Sequence, residues 1–125
     1  DVTLTIDIYT LYLHDALPIY IFISIKKYID QNYSNQLNLP YIASEFHLSE
    51  PYLSRKFKAK FDINIIQYIK LVRIRHAKQL LMSSGKKISE ISLLVGYDDE
   101  KYFSRVFKEM EKISANDYRK KFSNK

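Results

Sequence analysis

The spacing of apolar residues along the chain predicts helices. From Ile21 to about Gln31, apolar residues recur every three or four positions with charged residues between them, which is typical of an amphipathic helix. The polar run at residues 32–35 ends that helix. Asn38 can cap a second, short helix, and Pro40 is tolerated in its first turn.

The third predicted helix has one apolar face and one basic face. Ser49 is a good N-cap, and the helix is expected to reach about Lys60. Leu53 and Phe57 point to one side. The opposite face carries Pro51, Ser54, Arg55 and Lys58. A short helix, a tight turn and a second helix with a basic outer face form the pattern of a helix-turn-helix, here predicted over about 38–60.

A long central helix is predicted over about 64–82, with Asn64 as its cap. One broad apolar face includes Ile66, and Ile74 adds apolar surface on another side. A helix that is apolar on more than one side is covered on more than one side, so we expect two lobes to share it. Arg73 lies within the apolar face, and we expect it to pair with a carboxylate such as Glu90 or Asp98.

The helix-turn-helix pattern then recurs. Tyr-Leu-Ser-Arg-Lys-Phe-Lys at 52–58 matches Tyr-Phe-Ser-Arg-Val-Phe-Lys at 102–108 with an offset of 50, whereas the short helices before them match with an offset of 49. The second turn is therefore predicted to be one residue longer. The second helix-turn-helix is predicted over about 88–110, with Asp98 as the cap of its second helix. The outward face of that helix carries Lys101, Ser104, Arg105 and Lys108.

With a closing helix from about Ser114 to Phe122, these elements predict an all-α fold of about seven helices. Two helix-turn-helix subdomains are joined by the long central helix. At 125 residues with two glycines and three prolines, the composition agrees with a small helical domain.

Composition and motifs argue against catalysis and cofactors. The chain has no cysteine, and its three histidines lie far apart, so we expect no metal site, no cofactor and a location in the reducing cytoplasm. No paired acid and base, phosphate loop or nucleophile elbow occurs. We therefore expect a protein that is not an enzyme.

Charge is concentrated in the second part of the chain. Residues 37–125 hold 18 basic and 10 acidic residues, a net charge of +8, whereas residues 1–36 carry a net charge of −2. A polyanion is the natural partner of such a surface. A charged helical surface that serves only solubility is the alternative.

The first nineteen residues are expected to be a non-native leader. Leu-His-Asp-Ala-Leu-Pro-Ile at 13–19 matches one translated frame of a common short-read sequencing adapter. A signal peptide or membrane helix over 8–25 fits less well, because His14, Asp15 and Pro18 interrupt the apolar run. The native domain is then expected to cover 20–125, and a further amino-terminal domain to be missing.

Many spaced motifs make the chain over about 21–122 resemble the AraC/XylS family of bacterial transcription regulators. The matching residues are Ile42-Ala43, Leu48-Ser49, 52–55, Phe57-Lys58, Tyr68-Ile69, Ile91, 95–97, 102–108 and Tyr118-Arg119. Where the family usually has glycine after each recognition helix and proline before the last helix, this chain has Asp62, Lys112 and Ala115. These turns then lack the residues best suited to them.

The resemblance implies that two recognition helices enter successive major-groove segments on one face of the DNA. Arg55 and Arg105 are the first candidates for base reading, because a guanidinium can bond O6 and N7 of guanine together. A phosphate contact or a surface ion pair is the alternative for both arginines. The other base-reading candidates are Pro51, Ser54, Lys101 and Ser104, and the candidates for phosphate contact are Lys58, Lys60 and Lys108. Glu50 and Glu100 are expected to interact with the dipoles at the N-termini of their helices, with a contact to cytosine as the alternative.

Double-stranded DNA is thus the expected partner, with RNA polymerase as a second candidate and no membrane. In related regulators the missing domain is a small-molecule-binding domain or a phosphorylation-dependent receiver. The competing function is that of a basic helical module that binds nucleic acid without sequence preference or serves protein interaction.

Overall fold

The computed structural model describes residues 19–123, and seven helices with no strand make up the secondary structure of that range. An all-α fold was predicted, and it is confirmed. The helices are α1 (19–32), α2 (Leu39–Glu45), α3 (Glu50–Phe61), α4 (Ile65–Ser83), α5 (Ile88–Leu94), α6 (Glu100–Glu111) and α7 (Ala115–Ser123). The predicted leader lies, apart from Ile19, outside the described residues.

Polar side chains set the helix starts. The backbone N–H of Tyr41 donates to Asn38 Oδ1 at 2.8 Å, and that of Gln67 donates to Asn64 Oδ1 at 3.0 Å. Each side chain satisfies an amide that has no partner within its helix. The three caps predicted for α2, α3 and α4, including Ser49 Oγ at 3.2 Å from its donor, are all present.

The cap predicted for α6 is wrong by one residue. Asp99, not Asp98, accepts the backbone N–H groups of Lys101 at 2.9 Å and Tyr102 at 3.3 Å. Asp98 instead accepts a hydrogen bond from Gln36 Nε2 at 3.1 Å. The turn 95–99 is one residue longer than the turn 46–49, as the two offsets predicted.

Two hydrophobic cores lie along α4. The first core joins α1, α2, α3 and the amino-terminal half of α4, which contributes residues such as Tyr68 and Val72. The second core joins α5, α6, α7 and the carboxyl-terminal half of α4, which contributes residues such as Ile74 and Leu81. The expectation of a shared central helix is thereby met. Ile66, expected on the buried face, is 40% exposed instead.

Arg73 of α4 contacts both the loop after α1 and Tyr97 of the second lobe. Its side chain is 8% exposed, and it donates from Nε to Tyr33 O and from Nη2 to Asn35 O, each at 2.8 Å. Its Cζ also lies 4.9 Å from the centroid of the Tyr97 ring. The prediction that Arg73 pairs with a carboxylate such as Glu90 or Asp98 is wrong, because the guanidinium donates hydrogen bonds to backbone carbonyls of the loop instead.

Glycine is required in the turn between α5 and α6. Gly96 has φ 105°, and a Cβ built there would lie 2.8 Å from Tyr33 O and 3.0 Å from Arg73 Nε. The equivalent turn between α2 and α3 has His47 at φ 56°. The second turn therefore packs against the loop that Arg73 holds.

Within the described range, none of the helices combines the length and the apolar character that crossing a membrane requires. The described residues also contain no group of three or more histidine, aspartate or glutamate side chains that could hold a metal ion.

Candidate nucleic-acid interface

Helices α3 and α6 are equivalent in length, start and buried face. Each has 12 residues and begins with a glutamate, Glu50 or Glu100, which lies in the first turn as expected for the helix dipole. Phe57 of α3 and Phe107 of α6 are completely buried, and so are Leu53 and Phe103 one turn earlier. These anchors fix which side of each helix faces solvent.

The solvent-facing side of each helix collects the predicted base-reading residues. On α3, Pro51 and Arg55 are exposed and Ser54 is half-buried. On α6, all three candidates are exposed, namely Lys101, Ser104 and Arg105. The structure thus brings each predicted set onto one face, with Lys58 and Lys108 one turn further along.

Lys60 does not join that set. It is exposed in the last turn of α3, but at about 100° per residue it lies about 140° around the helix from Arg55. Lys60 therefore lies off the face that Lys58 shares with Arg55.

A tyrosine ring lies next to each candidate arginine, and neither tyrosine was among the predicted site residues. Arg55 Cζ lies 6.0 Å from the centroid of the Tyr52 ring, and Arg105 Cζ lies 5.4 Å from that of Tyr102. A guanidinium at such a distance is attracted by the face of the ring. The recurrence of tyrosine three residues before arginine in both repeats was the sequence feature that could have revealed this pair.

The candidate cations are not neutralised by neighbouring carboxylates. Among the described residues, one ion pair forms, between Lys78 Nζ and Glu111 Oε1 at 3.1 Å. Arg55 and Arg105 therefore have no described carboxylate within 4.0 Å, and neither do Lys58 and Lys108. Two equivalent sets of exposed donors without a carboxylate within 4.0 Å are suited to binding a polyanion.

The comparisons with known proteins agree with this arrangement. A family model described as a helix-turn-helix domain matches residues 42–121. The chain is 32% identical over 102 residues to the uncharacterized HTH-type transcriptional regulator YijO of Escherichia coli K12, a match that covers 82% of this chain and 36% of the relative. The chain spans about a third of the length of the curated relatives it matches.

Solved structures show the same fold. The C-terminal domain of AraT, a response regulator from Geobacillus stearothermophilus, has a TM-score of 0.79 and 35% identity, covering 81% of this chain and 84% of that one. The DNA-binding domain of AdpA, solved in complex with a target DNA, has a TM-score of 0.78, covering 82% of this chain and 93% of that one. At 16% identity, the likeness to AdpA concerns the fold alone.

Proposed function

Since this chain belongs to the AraC/XylS family of helix-turn-helix transcription regulators, we propose that it regulates transcription by reading a specific duplex DNA sequence with α3 and α6. The observation that carries the proposal is the pair of equivalent exposed faces, each with an unneutralised arginine over a tyrosine ring. One turn of B-DNA is about 34 Å, so two helices held by one rigid element can read successive major-groove segments. A single copy can then recognise an asymmetric site.

Arg55 and Arg105 are proposed as the main base readers. A guanidinium that is held over a ring loses less freedom when it binds, and its planar fork can bond O6 and N7 of guanine together. Ser54, Ser104 and Lys101 are proposed to contact neighbouring base edges. Pro51 can offer only an apolar contact, for instance with a thymine methyl group.

Lys58 and Lys108 are proposed to contact phosphates. They lie one turn beyond the arginines on the same faces. Contacts of this kind supply affinity and salt dependence but carry no sequence information directly. Lys60 is proposed to reach a phosphate from the other side of α3.

The decisive experiment selects a preferred site from a random duplex library with the 125-residue chain and then measures affinity for that site and for unrelated duplexes. A sequence-specific regulator is expected to prefer its site by about a thousandfold or more. Arg105→Ala is expected to weaken the selected site by about tenfold or more while changing unrelated duplexes less. Lys108→Gln serves as the matched variant, because loss of a phosphate contact weakens all duplexes by the same factor.

Equal affinity for all duplexes would refute the proposal and favour a nucleic-acid-binding module without sequence preference. If Arg55→Ala and Arg105→Ala both weakened every sequence equally, base reading by these arginines would be wrong while DNA binding would stand.

For the intact protein, we propose an amino-terminal domain, a second macromolecular partner and a cellular location. AraT is named as a response regulator, which supports a receiver as the missing amino-terminal domain, with a small-molecule-binding domain as the alternative. RNA polymerase is proposed as a second partner, and the cytoplasm as the location. We propose no catalytic activity and no cofactor for this domain, whose native part is proposed to cover 20–125.

A further inference from the structure

A cavity of about 180 Å³ lies between the two lobes, where α4 faces the start of α6. Lys70 and Arg73 of α4 line it, together with Tyr97 of the second turn and Tyr102 of α6. The cavity belongs to neither set of proposed base-reading residues. Its lining joins the first lobe, the central helix and one recognition helix.

The cavity is bordered by two positive charges, Lys70 and Arg73, and no described carboxylate lies within 4.0 Å of either one. Arg73 is 8% exposed, and its described partners are two backbone carbonyls and the ring of Tyr97, all of them uncharged. Lys70 Nζ lies 5.9 Å from the centroid of the Tyr102 ring, and Lys70 forms no ion pair with a described residue. Asp98 is close in sequence, but Gln36 holds its carboxylate and it does not line the cavity. A buried cation without a counter-charge is costly, so an anion at this position would be favoured.

An unpartnered hydroxyl lies at the same place. The side-chain oxygen of Tyr97, which lines the cavity, is buried, and no described residue forms a hydrogen bond of 3.5 Å or shorter with it, although the guanidinium of Arg73 lies near enough to stabilise its ionised form. Buried polar atoms of native proteins are nearly always hydrogen-bonded, and an orphaned one calls for a partner.

The remaining walls are apolar. Leu37, Ile66 and Ile69 line the cavity beside the tyrosine rings. A fully hydrated anion such as phosphate would lose water against these walls without gaining donors for all its oxygens. An anion with one charged group and an apolar body satisfies both parts of the lining.

We propose that this cavity binds a small organic monocarboxylate. The carboxylate lies between Lys70 and Arg73, and the apolar body packs on Ile66 and the ring of Tyr102. The volume of about 180 Å³ is comparable to that of an engineered cavity of about 150 Å³ that binds benzene, so it suits a single ring or a short chain. The proposal does not depend on DNA binding by the chain.

The test is a titration of the 125-residue chain with sodium benzoate, followed by backbone amide chemical shifts in NMR spectra. Saturable shifts are expected in the millimolar range, centred on Lys70, Tyr97 and Tyr102. Benzamide has the same shape without the charge and is expected to bind at least about tenfold more weakly, because charge-assisted hydrogen bonds are lost. Inorganic phosphate is expected not to compete.

Variants locate the site. Lys70→Met is expected to weaken benzoate by about tenfold, whereas Lys70→Arg keeps the charge and retains most of the affinity. Lys86→Met removes an exposed lysine from the loop after α4 and is expected to change nothing. Each variant is compared with the parent chain by its amide spectrum, and the benzamide comparison on the unaltered chain stands even if Lys70→Met fails to fold.

The proposal is overturned if benzoate gives no saturable shifts, if benzamide binds as tightly, or if Lys86→Met weakens binding as much as Lys70→Met. Competition by phosphate at equal concentration, with the same dependence on Lys70, would show a phosphate site instead of a carboxylate site.

Discussion

Lys112 takes a left-handed backbone conformation, with φ 71°, in the turn after α6. Asp62 does the same after α3, with φ 58°. The backbone N–H of Lys112 donates to Lys108 O at 2.8 Å, and that of Asp62 donates to Lys58 O at 2.9 Å. Each acceptor is a carbonyl in the last turn of the preceding helix. The fold therefore imposes a conformation that lysine disfavours and aspartate tolerates better, whereas glycine adopts it without strain.

Replacing Lys112 by glycine is expected to raise the free energy of unfolding by about 1 kcal/mol. A side chain in the left-handed region costs about 1–2 kcal/mol, and glycine offsets part of that gain because its unfolded state has more conformational entropy. Urea denaturation of both chains measures the change. Lys86→Gly removes a lysine from a loop position without positive φ and is expected to give no gain. An equal rise in both variants would mean that lost charge, not backbone strain, is the cause.

The two glycines differ sharply in what they tolerate. Gly96→Ala is expected to lower the free energy of unfolding by at least about 2 kcal/mol, since φ 105° excludes a side chain and the added Cβ would meet Tyr33 O at 2.8 Å. Gly85→Ala is the matched control, because its Cβ would have nothing within 4 Å. Similar stabilities of the two variants in thermal unfolding would contradict the close packing of this turn.

At the scale of elements, α4 holds the two lobes in one arrangement. Its amino-terminal half packs in the first core and its carboxyl-terminal half in the second. Tyr68 supports this packing, since its hydroxyl donates to Asp30 of α1 at 2.5 Å. Burial is the main reason why the pKa of Tyr68 is raised, and the hydrogen bond with Asp30 is the second. Arg73 adds a direct link from the middle of α4 to the loop after α1.

Arg73→Met is expected to lower the free energy of unfolding by about 3 kcal/mol, because it leaves two part-buried carbonyls, Tyr33 O and Asn35 O, without their donor. Chemical denaturation measures the loss. Arg75→Met, at an exposed position of the same helix, is expected to change stability by less than about 0.5 kcal/mol. A loss of similar size in Arg75→Met would mean that helix charge, not the link between the lobes, sets the effect.

At the scale of the whole molecule, the excess positive charge governs how DNA binding responds to salt. The net charge is +6 over 125 residues, and the proposed contacts come from two helices at once. Each phosphate contact releases a counterion from the duplex, so the logarithm of the affinity falls linearly with the logarithm of the salt concentration.

Lys58→Gln and Lys108→Gln are each expected to reduce the magnitude of that salt slope by about 1, measured by fluorescence anisotropy on one duplex at several salt concentrations. Lys78→Gln is the control, because the ammonium of Lys78 is already paired with Glu111 at 3.1 Å. A slope that is unchanged in both test variants would place the phosphate contacts elsewhere on the molecule.

The sequence by itself determined the helices, most of their caps and the repeated pair of basic faces. These features are local: apolar spacing sets which side of a helix is buried, and a capping side chain such as Ser49 reaches an amide only three residues away. The equivalence of Arg55 and Arg105 was visible for the same reason, since it needs only the offset between two segments. The cap of α6 was missed because Asp98 and Asp99 are both able to cap, and only the longer turn selects one.

Only the tertiary structure decided what Arg73 binds, why Gly96 is glycine and where a cavity forms. The carbonyls that Arg73 holds lie 40 and 38 residues away in sequence. Such partners depend on how the two lobes dock along α4, which no local pattern encodes. A buried guanidinium donates to any acceptor that the packing of the two lobes places beside it. Here the loop supplies backbone oxygens instead of a carboxylate.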